Sequence, residues 1–218
     1  MNRETLWKII TVVELAAAAV VIVLDLFMPT LVILGMLLVS LLLRREPMRA
    51  LGFKRPPSWP RLVGLSLAGA VGLQLFDVGV ILPILNRLTG TTIDYSGFAH
   101  LQGSLGQLLL LLVLSWTLAA LGEEMVYRGY LQKLLTQLVG RSLPGVLLTV
   151  GISSLLFGLA HTEQGLIGVV VTTVDALFFS WLKLKLDGNL WAAVLAHGFY
   201  NSAGVIVFFF TGPIYGLW

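Results

Sequence analysis

The chain has no cysteine among its 218 residues. Disulfides, iron–sulfur clusters and thiol catalysis are therefore excluded. Charge is scarce: Asp, Glu, Lys and Arg make up 11% of the residues, against about 25% in soluble domains. No GK[ST] follows the glycines at 64, 69 and 72, so these mark close helix packing and not a phosphate loop. H-E-x-x-H is absent. Ser153 and Ser154 have no Ser–His or Ser–Lys arrangement beside them, which leaves serine catalysis unsupported. There is no internal repeat and no low-complexity stretch.

What is present is apolar. Hydrophobic residues make up 57% of the chain and the mean hydropathy is +0.93. That describes an all-α, polytopic transmembrane helical bundle. Seven apolar segments are expected, within a range of about six to eight spans: 7–27, 29–43, 62–85, 104–126, 144–161, 166–183 and 190–211. The second is short for a ~20-residue span, and is expected to tilt or to share a kink with the first at Pro29. Ala16 to Ala19 imitate a signal-cleavage site, but the apolar run continues to Met28 and Glu14 interrupts it, so a retained first span is expected. The resulting division is a transmembrane hairpin at 1–43, a basic linker at 44–61 and a core at 62–218.

The formal net charge of +3 and pI of 9.4 do not require nucleic acid. The linker (RREPMRALGFKRPPSWPR) has six basic residues against Glu46, and short basic loops stay in the cytoplasm. Anchored there, the N-terminus with Arg3 and Lys8 is cytoplasmic, as are Lys133, Arg141, Lys183 and Lys185. Twelve of the fourteen Lys and Arg then share one side, Arg87 lies opposite and Arg128 falls within the fourth segment. The expected setting is a multi-pass protein of a plasma membrane.

That fourth segment carries the most informative cluster. Glu123, Glu124 and Arg128 close an apolar run at 108–121, where unpaired charges are costly, roughly 2.5–3.5 kcal/mol each at mid-bilayer on insertion scales. The helical pattern runs on to Gln137, predicting a helix over 104–138, ~52 Å long at 1.5 Å per residue. Glu124 and Arg128, four apart, face the same way and pair. Glu123 points about 100° away, without a cation partner, as suits a general base. Glu124 and Arg128 then brace it. His161 and His197 also lie in apolar segments. Counted from the turn at 140–143, Glu123 and His161 lie at similar depth, and His197 two turns into the last segment reaches the same level. Asn201 follows His197 by one turn; an amide and an imidazole together suit a developing oxyanion. Phe157, one turn before His161, packs against its ring. His100 reads as a loop residue. Asp77 and Asp175 have no evident partner and read as structural or interhelical residues ahead of pathway residues, and Glu14 and Asp25 read as interfacial or inter-helix contacts.

Three stretches in order, GEEMVYRGYL (122–131), FGLAH (157–161) and HGFYN (197–201), resemble the motifs of the CPBP family of intramembrane proteases. That family includes type II CAAX prenyl endopeptidases and bacteriocin-processing or Abi-like, immunity-associated relatives. LGFKRP (51–56) resembles a stretch common in its bacterial members, which implies a bacterial plasma membrane. The resemblance covers roughly 50–205. It implies a helical bundle open toward the cytoplasm and lipid, with Glu123 and His161 activating water and His197 and Asn201 holding the oxyanion.

Glu123, His161 and His197 also make a candidate His₂Glu zinc set. Asn is an uncommon zinc ligand, so the metal-free route is the expectation. The reading is an intramembrane endopeptidase acting on a peptide or membrane-protein substrate, embedded in the lipid bilayer, with no nucleic-acid partner. Its rivals are a non-catalytic immunity or adaptor protein using the same pocket, and a proton-coupled transporter.

Overall fold

The structure is a computed structural model, and it describes residues 2–93 and 95–212. Among these the chain forms seven long helices, three short 3₁₀ helices (Met48–Leu51, Ser96–Leu101 and Thr162–Gln164) and no strand; the long ones are α1 (Arg3–Val23), α2 (Pro29–Arg44), α3 (Trp59–Thr89), α4 (Leu105–Val139), α5 (Leu143–Leu159), α6 (Gly165–Lys185) and α7 (Leu190–Thr211). Five helices are long and apolar enough to cross a membrane, α6 counted together with its leading turn Thr162–Gln164; α2 and α5 are shorter apolar helices. Pro29 does not kink a shared helix. It opens a separate one at its first turn, where a missing N–H costs nothing, after Asp25 and Phe27 take positive φ.

α4 is the axis. No proline lies between Pro83 and Pro144, so the helix runs unbroken for 35 residues. It stops at Gly140 (φ +80°), and Ser142 caps α5 by accepting from the Gly145 amide. Two stretches, Ser115–Glu123 and Met125–Leu131, are wound as wide π-type turns on either side of Glu124. Such turns are rare and cluster at functional sites. The main core forms around α4: Ala120, Val126, Tyr127, Tyr130, Leu131 and Leu134 pack with Ile22, Ile33, Leu37, Phe157, Ala176 and Val194.

Polar ties hold the helices where lipid provides no hydrophobic drive. Arg44 of α2 pairs with Glu14 of α1 at 2.6 Å and donates to Thr11 at 3.0 Å and to Gln137 of α4 at 3.4 Å. Glu14 is thus the inter-helix contact expected of it. Gln132 of α4 donates to Ser153 of α5 (3.0 Å) and Ser180 of α6 (2.9 Å), and Lys183 donates to Gln132 Oε1 and to the Arg128 carbonyl. Buried interhelical bonds of this kind contribute about 0.6 kcal/mol each.

The LGFKRP stretch seats α7. Gly52 accepts from the Leu190 amide at 2.9 Å, and Asn189 caps α7 while its side-chain amide donates to the Lys54 carbonyl at 3.1 Å. Gly52 has φ +106°, and a Cβ there would stand 3.0 Å from the Gly188 oxygen. Leu51, buried, lies against Gly129 of α4. Of the three packing glycines, Gly69 alone meets a neighbour closely: its Cβ would stand 3.0 Å from the Phe178 ring, while Gly64 and Gly72 are open.

Candidate active site

The i, i+4 spacing of Glu124 and Arg128 produces the expected pair: Arg128 Nη1 stands 2.9 Å from Glu124 Oε1, and both side chains are buried. The guanidinium lies over the rings of Phe157 (4.5 Å) and Phe179 (5.5 Å), which shield it from lipid. Glu124 has a second partner that its spacing could not announce. His197 Nδ1, from α7, lies 2.9 Å from the same Oε1. A carboxylate at Nδ1 places that ring proton there and directs Nε2 the other way.

His197 Nε2 stands 3.9 Å from Glu123 Oε2. Glu123 is outside the Arg128 pair, as its helical angle requires. It is 17% exposed where Glu124 is 0%, so of the two carboxyl groups it is the more accessible. The imidazole of His197 lies flat on Phe179 of α6 (5.0 Å between centroids, 14°) and edge-on to Phe157 (6.0 Å, 79°). Trp116 of α4 closes the other side of α7: a Cβ on Gly198 would meet its ring at 2.5 Å, and its Nε1 donates to Ser202 at 3.0 Å.

His161 follows the end of α5, with φ −120°. Its Nδ1 lies 2.8 Å from the Phe157 carbonyl one turn back, and the two rings are 4.7 Å apart. A carbonyl only accepts, so Nδ1 carries the proton and Nε2 has the free lone pair. Phe157 therefore orients His161 by its backbone as well as by its ring. The α5 end fits tightly on α6, because a Cβ on Gly158 would stand 1.9 Å from Thr173 Oγ1 and 2.6 Å from the Val169 carbonyl. Asn201 lies half-buried one turn beyond His197, with no hydrogen-bond partner among the described residues.

The structure thus brings together Glu123, Glu124, Arg128, Phe157 and His197, with His161 joined through Phe157 and Asn201 next along α7. His100 is an exposed loop residue. Asp77 and Asp175, which had no evident partner in the sequence, take the interhelical role read for them: Tyr200 of α7 donates to Asp77 Oδ2 at 2.8 Å, and the two carboxyl groups interact with each other. Phe179 and Trp116 had no sequence signal, since each acts across helices. Among the described residues no three His, Asp or Glu side chains are grouped to hold a metal ion; Nδ1 of His161 and of His197 each has a protein partner, which leaves Nε2 of both rings open.

Residues 105–203 match the family model described as type II CAAX prenyl endopeptidase Rce1-like. This is the family that the three motifs resemble, and the matched segment contains all three. It is a family of proteases, and the chain has the apolar helices of an integral membrane protein. No curated protein and no solved structure matches the chain.

Proposed function

We propose that the chain is an intramembrane endopeptidase in which Glu123, helped by His161, activates a water for attack on a peptide carbonyl. The observation that supports this best is the His197 ring between two carboxyl groups, 2.9 Å from buried Glu124 and 3.9 Å from the more accessible Glu123. In the proposed sequence, Glu123 takes one proton from water, with His161 Nε2 as a second acceptor beside it. The water oxygen forms a bond to the carbonyl carbon, and the carbonyl oxygen becomes the oxyanion. Asn201 donates its amide N–H to that oxygen. Glu123 passes its proton to His197 Nε2, which becomes a second donor beside Asn201. Glu124 and Arg128 hold the ring while it is charged. The C–N bond then breaks and the proton leaves with the amine, so the cycle balances without a metal.

The chemistry is set near the cytoplasmic face by the basic linker and the level of the motifs. Prenylated C-terminal tails, peptide precursors and juxtamembrane segments of other membrane proteins are the substrate classes that reach such a site. The test compares membrane-protein termini by quantitative mass spectrometry in cells expressing wild type, Glu123→Gln or His161→Ala at matched levels. New termini with wild type alone are expected, and Glu123→Gln should lower cleavage by about 10²–10⁴-fold. Identical termini in all three under several growth conditions would replace the protease by a binding protein.

A further inference from the structure

The carboxyl pair of α3 and α6 lies beside the site without belonging to it. Asp77 is 1% exposed and Asp175 5%; each has a buried Oδ1 with no donor among the described residues, and the two carboxyl groups interact with each other. Two carboxyl groups can bond each other only through a proton, so a direct Asp77–Asp175 bond needs at least one of them protonated. Asp77 opens the π-type stretch Asp77–Ile81 of α3. Tyr200, between His197 and Asn201 on α7, donates to Asp77 at 2.8 Å. Asp175 also stands four residues before Phe179, so one face of α6 presents both. Phe179 stacks on His197, and the Tyr200 ring meets Phe179 edge-on at 6.2 Å.

We infer that Asp77, Asp175 and Tyr200 are positioning residues: a proton-sharing clamp that fixes the rotation of α7 and so the seat of His197 and Asn201. Three helices meet in it, and its two ends bracket the imidazole. Phe179 holds the ring face, and the Tyr200 phenol holds the backbone three residues on. The groups that face the pair from other elements are Arg128 of α4, whose charge reaches Asp175, and Tyr95 of the α3–α4 connection. Burial, and then the field of Asp175 and Asp77, pushes the Tyr95 phenol above its ordinary range. Asparagine at 175 supplies Asp77 with an amide N–H in place of a shared proton. Alanine breaks the bond.

This inference rests on the peptidase reading for its kinetic effect, and a second readout frees it from that. The chain has three histidines, so ¹⁵N-histidine NMR of the full chain in nanodiscs resolves His197 once His161→Gln and His100→Gln assign the others. Asp175→Ala and Tyr200→Phe should move the His197 resonances, and Asp175→Asn should leave them in place. With a substrate from the termini comparison, the first two should lower kcat roughly ten- to hundredfold with KM little changed, and Asp175→Asn should recover most of it. Unmoved His197 signals in Asp175→Ala and Tyr200→Phe, or an Asn variant as impaired as the Ala variant, would overturn the clamp. A wild type that cleaves nothing removes the protease and leaves the NMR comparison to decide the clamp.

Discussion

Glu123 and Glu124 are neighbours in sequence with opposite surroundings, and substitutions should separate them. Glu124 is one of two buried partners, so Glu124→Ala leaves the Arg128 charge uncompensated. A loss of about 3–5 kcal/mol is expected, read as a lowered midpoint of thermal unfolding in detergent. Glu123→Gln breaks no ion pair with Arg128 and should unfold near the wild-type midpoint while losing cleavage. The Glu124–Arg128 pair and the separate direction of Glu123 are legible from spacing alone, because helix geometry fixes both. The Glu124–His197 contact is not: its partners are 73 residues apart, and nothing local to either names the other. The partners of Asp77 and Asp175 are hidden in the sequence for the same reason. A buried carboxyl group on one span signals that a partner exists, and only the packing of α3 on α6 and α7 identifies it.

Single turns decide how well the elements meet. Gly52→Ala places a Cβ at φ +106° and 3.0 Å from the Gly188 oxygen; the left-handed backbone alone costs about 1–2 kcal/mol. Both the unfolding midpoint and the cleavage rate should fall, since this turn holds the first residue of the helix carrying His197. Gly158→Ala should push α5 from α6 and lower cleavage. Adding Thr173→Ala should restore only part of it, because the Val169 carbonyl stays 2.6 Å from the new methyl. Expression-matched cleavage assays of the three variants check this. Element ends were well marked in the sequence. The last helix spans 190–211 as expected, and the fourth runs to Val139, one residue beyond its expected end. Proline, glycine and N-cap residues punctuate those points. The π-type winding around Glu124 had no such mark: Gly122 and Gly129 lie in the two wide stretches, but a glycine alone does not announce a π-type turn.

Across the whole molecule, α4 organises everything else. The N-terminal hairpin reaches it through Arg44 and Gln137, the basic connection through Leu51 and Gly129, and α5 and α6 through Gln132. The helix that carries the glutamates is therefore the one most tied down. α5, which delivers His161, is only 17 residues long, about 26 Å at 1.5 Å per residue. A membrane-crossing α5 of this length falls short of a ~30 Å hydrocarbon core, a mismatch that a bilayer relieves by thinning locally. Such thinning would bring water and headgroups toward His161 and, on the proposed peptidase reading, shorten the path of a substrate to it. Reconstituted in phosphatidylcholines of increasing acyl length, the protein should cleave fastest in thin bilayers and slow as thickness grows, with thermal unfolding measured in parallel. On the proposed peptidase reading, the short helix makes the surrounding membrane part of the machinery, tuned by its lipid composition.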